Sequence, residues 1–213
     1  MNPASTPELA ADGRILEGVV TTLNDDRSVN ISPMGPIVDA PMQQFVLRPF
    51  RSSTTYKNLK RDGRAVFHVT DDVELIAQSA VGQPQPTPKL IPTPAVDGMR
   101  LADACRWYAL EVVSLEDRDE PARIVARTVE QGRQRDFFGF NRAKHAVLEA
   151  AILATRIHLL PTDEIAAALD RLAPLVQKTG GAPEHRAFAF LRDYIHRCAA
   201  RPSDRGSATS ERR

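Results

Sequence analysis

From residue 15 to residue 70 the chain changes element every few residues, and that rhythm leaves room for little but short antiparallel strands with one helix between them. Ile15 to Leu23, rich in Val and Thr, reads as a strand. Asn24-Asp25-Asp26-Arg27-Ser28 supplies a turn, and Val29 to Ser32 returns as the second arm of a hairpin. Phe45 to Phe50 is a third strand, with Phe45 and Leu47 on one face and Val46, Arg48 and Phe50 on the other. A helix from Thr54 to Asp62 ends at Gly63, which suits a left-handed C-cap, and Arg64 to Thr70 forms a fourth strand.

Two places in this stretch are chemically marked. In Asn30-Ile31-Ser32-Pro33-Met34-Gly35, Pro33 removes a ladder donor and Gly35 loosens the backbone, so neighbouring N–H and C=O groups are free to meet something flat and polar. In Arg51-Ser52-Ser53-Thr54-Thr55, an arginine precedes a helix N-terminus loaded with hydroxyls, which is a seat for an anion. A heterocycle at one turn and a phosphate at the other describe a mononucleotide. Each stretch alone has a plainer reading: Ser and Thr are ordinary N-caps, and Ser-Pro-Met-Gly is an ordinary edge-strand exit.

Asp71 or Asp72 caps a helix to about Ala80. Five prolines between Gln83 and Pro94 then exclude regular helix and central strand, so residues 83–98 are expected to form a stiff, extended loop of the kind used as a lid. Arg106 to Glu116 and Arg123 to Glu130 are two further strands around a charged turn, making about six. Asn141 caps a helix to about Ile157 whose Ala143, Ala146, Val147, Ala150 and Ala154 form a small-residue face, suited to core packing or a subunit contact. Thr162 caps a helix broken or kinked at Pro174, and Pro183 opens the last one; these two form a helical hairpin. The expected divisions are a loose N-terminus (1–13), a β domain (14–160), the hairpin (161–200) and a disordered tail (201–213).

With 28 Lys+Arg against 27 Asp+Glu, the net charge of +1 supplies no field for nucleic acid or an anionic membrane. Cys105 and Cys198 have no metal-like spacing and point to a reducing compartment. No apolar run is long enough to span a membrane, so the expectation is a soluble cytoplasmic protein. Dinucleotide, Walker, zincin and nucleophile-elbow signatures are absent, and the five histidines are scattered. Catalytic residues are therefore unassigned and no metal is expected. Phe137-Phe138-Gly139-Phe140 reads equally well as a core strand end or as a wall against a ring system.

The order of these segments resembles the FMN-binding split-barrel flavin reductases, in which an Asn-hydrophobic-small-Pro segment lines the isoalloxazine and a Thr-x-x-Asn helix start takes the phosphate and ribityl chain. Thr55 and Asn58 match that Thr and Asn. Where those reductases have Lys-Asp before the Thr, this chain has Ser53-Thr54, so hydroxyls and backbone, helped by Arg48 or Arg51, would hold the phosphate. A narrower likeness is to a functionally uncharacterised family of the same superfamily, carried by Arg48 to Thr55 and by Phe137 to Ala143. The resemblance implies an α+β fold, a split β-barrel with peripheral helices and a C-terminal helical hairpin. It implies bound FMN, and a homodimer with the cofactor at the interface. The site residues it implies are Asn30, Ile31, Ser32, Pro33, Met34, Gly35, Arg48, Arg51, Ser52, Ser53, Thr54, Thr55, Asn58, Phe140, Asn141 and Arg142. The activity it implies is an oxidoreductase drawing hydride from NADH or NADPH. A non-catalytic FMN carrier or sensor, or a role in a pterin-linked one-carbon pathway, are the alternatives.

Overall fold

A computed structural model describes residues 13–200; the expected loose N-terminal stretch, apart from Gly13, and the expected disordered tail lie outside them. The chain divides into two compact units between Phe140 and Asn141.

The first unit is built on one antiparallel sheet of eight strands: β1 (Arg14–Ile15), β2 (Gly18–Leu23), β3 (Val29–Met34), β4 (Ile37–Val38), β5 (Gln44–Leu47), β6 (Arg64–Val69), β9 (Arg106–Glu116) and β10 (Arg123–Arg133). Their order across the sheet is β1-β4-β5-β10-β9-β6-β2-β3. β1 lies at one margin, yet only Leu16 and Glu17 separate it from β2 near the other; β3 and β4 are joined across the same gap by Gly35 and Pro36. Links that short reach a strand spacing or two, so the sheet must curl until its margins approach, giving a barrel left open along that seam. Leu16 N–H donates to the Pro36 carbonyl at 3.1 Å where the links meet.

The barrel interior is filled from both sides of the curl by Val20, Phe45, Leu47, Phe67, Tyr108, Leu110 and Ile124. Phe45 stands 5.4 Å from Phe67 and 5.5 Å from Tyr108, ring centre to ring centre, in tilted pairs. Helix α1 (Thr54–Asp62) closes one mouth by adding Tyr56 and Leu59 to this core. It starts and stops where its residues dictate: Ser53 caps it, no acidic side chain sits in its first turn, and Gly63 takes the left-handed C-cap with φ 65°.

Helix α2 (Val73–Val81) is capped by Asp72. The proline-rich stretch departs from the expected loop: β7 (Leu90–Thr93) and β8 (Gly98–Leu101) form a two-stranded sheet around a 3₁₀ turn at Pro94–Val96. Both strands of such a ribbon are edges, where Pro92 is tolerated, and alternation was too short to reveal them. The ribbon covers the outer face of the sheet over Val66, Trp107 and Ala109. His68, fully buried, holds it there: Leu101 N–H donates to Nε2 at 3.0 Å, which leaves Nδ1 to carry the proton and donate to the Val19 carbonyl at 3.0 Å.

The second unit is three helices, α3 (Arg142–Thr155), α4 (Thr162–Thr179) and α5 (Ala182–Ala199). The boundary expected near residue 160 is thus corrected to 140/141, because α3 packs on α4 and α5 through Ala143, Ala146, Val147, Ala150 and Ala154, all buried. The small-residue face is a core face within one chain and offers no surface to a subunit. Lys144 of α3 and Glu184 of α5 pair at 3.0 Å with little exposure. Pro161, not Thr162, is the cap residue of α4, and the helix runs unbroken through Pro174. Among the described residues no helix is long and apolar enough to cross a membrane.

Burial pushes the His68 imidazole down to about 4, against the smaller opposing effect of the Val19 bond. The unfolded chain takes up that proton near pH 6.5, so His68's contribution is complete above pH 6.5 and is lost as pH falls toward 4, by roughly 3 kcal/mol in all. Urea unfolding at intervals between pH 7 and pH 4 should show this loss, and His68→Gln should flatten the profile across that window.

Candidate functional site

The two marked segments of the sequence meet through Asn30 and Thr55 at one mouth of the barrel. Asn30 of β3 donates from Nδ2 to Thr55 Oγ1 at 3.0 Å and to Thr22 Oγ1 at 3.2 Å; Asn58 donates to the same Thr22 oxygen at 3.0 Å and to Asn24 Oδ1 at 2.9 Å. All four of Thr22, Asn30, Thr55 and Asn58 are buried. The helix start and the strand are therefore stitched together by Asn30, Thr55 and Asn58, which the sequence singled out, through Thr22, which it did not, and Thr55 and Asn58 serve as internal partners. Thr55 keeps its own hydroxyl proton for a further acceptor.

The other hydroxyls divide by role. Ser53 Oγ accepts from Tyr56 N–H at 3.2 Å and donates to the Phe50 carbonyl at 2.7 Å, so the plain capping reading holds for it. Ser52 and Thr54 are exposed. Among the described residues, no protein group accepts from the N–H of Ser52, Thr54 or Thr55, and the helix dipole adds positive character there.

The arginines separate as well. Arg51 is committed: its N–H and Nε donate to the Glu120 carboxylate at 2.9 and 3.0 Å, and Nη1 donates to the Asp117 carbonyl at 3.0 Å. Beside it, Tyr56 Oη donates to Asp117 Oδ2 at 2.6 Å and Lys60 Nζ reaches the same oxygen at 2.7 Å. The bond to Asp117 raises the Lys60 pKa, and the same bond lowers that of Asp117. Arg48 is exposed and enters no ion pair among the described residues. The turn between β9 and β10 was legible only as a charged loop, and nothing in it announced that Glu120 and Asp117 would lie against α1.

Along β3 the register corrects two expectations. Asn24 N–H bonds Ser28 across the turn, and Ile31 N–H faces the open edge, bonded to Gln83 Oε1 at 3.4 Å. Pro33, two residues on, turns its nitrogen to that same edge, so it removes no bond from the β2–β3 ladder. Gly35 has no left-handed φ; a Cβ there would lie 2.8 to 3.0 Å from the Glu17 carboxylate and Ile15, so the residue serves the crowded seam. From Asn30 to Gly35 the edge runs about 17 Å, with Ser32, Pro33, Met34 and Gly35 half-buried.

The aromatic run is not core: Phe137, Phe138 and Phe140 are 48, 72 and 95% exposed. Asn141 caps α3 by accepting from Lys144 N–H and donates to the Thr179 carbonyl, and Arg142 is exposed; both belong to the helical unit. Two hollows of about 290 and 270 Å³ flank the exposed Arg27–Asp97 ion pair; the first touches this network at Thr22 and the second is lined by other residues.

A model of a family described as a protein of unknown function, DUF447, N-terminal domain, matches residues 16–135, and a second model of that family matches residues 141–193. Among curated proteins none matches. Among solved structures, an FMN-bound DUF447 protein from Methanosarcina mazei is similar at 23% identity, with a TM-score of 0.72 over 85% of this chain and 95% of that one. An FMN-binding protein from Thermus thermophilus is 14% identical, with a TM-score of 0.49 over 63% and 80% of the two chains. The flavin reductase of styrene monooxygenase from Pseudomonas putida S12 is 14% identical, with a TM-score of 0.47 over 58% and 83%. The likeness to the M. mazei protein establishes an α+β split-barrel fold.

Thr55→Val should destabilise the ligand-free protein by about 1–3 kcal/mol in urea unfolding, because it takes a buried acceptor from Asn30. An unchanged midpoint would show that the stitch carries no weight.

Proposed function

The chain belongs to the DUF447 family, and from that membership and the geometry of the β3–α1 mouth we propose that it is an FMN-binding flavoprotein acting as an oxidoreductase. The observation that carries the reading is the Asn30–Thr55 bond, which couples the strand edge to the helix N-terminus and so couples the two ends of a single ligand. The fold shared with an FMN-bound protein over nearly its whole length supports it.

The residues present fit the group. The phosphate end meets the N–H groups of Ser52, Thr54 and Thr55, the hydroxyls of Ser52 and Thr54, and the side chain of Arg48, all donors without a committed acceptor among the described residues. Arg51 contributes by fixing the turn, since Glu120 neutralises it. The outward N–H and carbonyl groups of Ile31 and the carbonyl of Pro33 suit the edge of a heteroaromatic ring, and Gln83 adds an amide beside them. Bound FMN supplies a ring that accepts and returns hydride, so the chain need provide only placement, hydrogen bonds and exclusion of water. NADH or NADPH is the hydride source in this reading. Two copies pair, with exposed Phe50 near the helix start as one apolar contact; the α3 face plays no part.

Purified protein incubated with FMN should turn yellow and prefer FMN to riboflavin. Arg48→Ala with Thr54→Val should weaken FMN by about 1–3 kcal/mol per lost charge-assisted bond and leave riboflavin unchanged. A colourless protein that titrates with neither flavin sinks the reading.

Under anaerobic stopped-flow mixing, NADH or NADPH should bleach the bound flavin, and oxygen should restore the colour. Tight FMN binding with no bleaching by either nicotinamide would remove the oxidoreductase and leave a flavin carrier or sensor.

A further inference from the structure

After β10 ends at Arg133 the chain does not leave the barrel; it is drawn sideways across the end of the sheet. The side-chain amide of Gln134 donates to the carbonyls of Leu101, Ala102 and Ala104, and the N–H groups of Gln134 and Arg135 both reach the Cys105 carbonyl. Arg135 Nε donates to the Asp103 carbonyl at 2.7 Å. The crossing ends on Asp71, just past β6, whose Oδ1 accepts from Arg135 Nη2 at 2.5 Å and whose Oδ2 accepts from Phe138 N–H at 2.7 Å. Asp71 is 7% exposed, and these two donors are among the partners that satisfy its carboxylate out of water.

The register fixes what the crossing achieves. Met34 faces Gly18, Val19 faces His68, and Val69 faces Arg106, so the end of β3, the end of β6 and the end of β10 lie at one rim of the sheet. β6 is two strands from β3, about 10 Å, whereas β10 is four strands away, about 19 Å. By fastening Phe138 beside β6, Asp71 moves the aromatic run to the half of the rim nearest Met34 and Gly35. Gly139, with φ +108° and open space around it, then turns the chain so that Phe138 and Phe140 project into solvent. Large apolar side chains left this exposed on a backbone this firmly bonded present a surface for a flat partner.

We propose that Asp71 is a positioning residue of the flavin site, its carboxylate fixing segment 134–138 so that the phenyl rings of Phe138 and Phe140 meet the isoalloxazine held along β3. The assignment rests on the FMN reading above.

The test is FMN titration of the full chain with the visible absorption band as readout, since apolar contact sharpens its vibronic structure. Asp71→Ala should blur that structure and weaken FMN about tenfold, the scale of one lost ring contact. Phe138→Ala/Phe140→Ala should do the same, and adding Asp71→Ala to that pair should cost nothing more. Asp71→Asn, which keeps one acceptor, should fall between. If Asp71→Ala fails to fold, Arg135→Ala, on the partly exposed side of the clamp, should reproduce the blurring. An unchanged band in variants that still bind, or losses that add to those of the phenylalanine pair, overturns the proposal while leaving the flavoprotein standing. A wild-type chain that binds no FMN overturns both.

Discussion

Two links of two residues, Leu16-Glu17 and Gly35-Pro36, tie opposite margins of one eight-stranded sheet, and the curl they impose decides what every other element can do. A flat sheet would leave Val20, Phe67 and Tyr108 on an open face; the curl turns that face inward and leaves a mouth that only a helix of suitable length can close. α1 closes it with Tyr56 and Leu59. The seam itself leaves β3 unpaired along one edge, and in a sheet protein an unpaired edge is either guarded or used. Here a proline sits on its open side, which blunts pairing with another strand while sparing the ladder behind it.

Closing a mouth with a helix brings polar groups together out of water, and buried amides are costly unless satisfied. Thr22 answers two of them, accepting from both Asn30 and Asn58. The consequence is directional: because Asn30 is fixed to Thr55, the strand edge and the helix N-terminus cannot drift apart, and a ligand spanning both would find its two contacts already at their working separation. Preorganisation of this kind lowers the ordering cost of binding without any residue touching the ligand. In the proposed flavin site, the network that stabilises the fold and the network that would shape the site are the same four side chains.

Local chemistry was legible and long-range chemistry was not. The caps at Asp72 and Asn141, the α1 span with its stop at Gly63, and the strands from Arg64 and Arg106 follow from neighbours in sequence, so they could be read directly. β1 and β4 have two residues each, too few to show a period. β7 and β8 were hidden because prolines forbid central strands yet allow a two-stranded ribbon. Thr55 and Asn58 stood out by position, but their internal bonds to Asn30, Thr22 and Asn24 could not be read, since those depend on where β2 and its turn arrive. Arg51 looked available because Glu120 is 69 residues away in sequence. The alanine face of α3 was visible as a face, but periodicity cannot say whether a face meets another helix of the same chain or a second copy.

Charge around α1 explains why an anion would be recognised there despite a nearly neutral protein. Arg51 is matched by Glu120 and Lys60 by Asp117, both at substantial exposure, and pairs of that kind contribute about 0–1 kcal/mol to stability. Their larger effect is on the field. Each pair cancels its own charge, so among the described residues the uncommitted positive character near the helix start is that of its N–H groups, the guanidinium of Arg48 and the exposed ammonium of Lys57. A monovalent carboxylate gains little from so diffuse a source, whereas a phosphate brings more charge and several acceptor oxygens to the same few donors. In the proposed site, discrimination between a phosphorylated ligand and its dephosphorylated form would follow from donors that remain uncommitted, with the acidic turn between β9 and β10 pairing the arginine and lysine that would otherwise attract any anion.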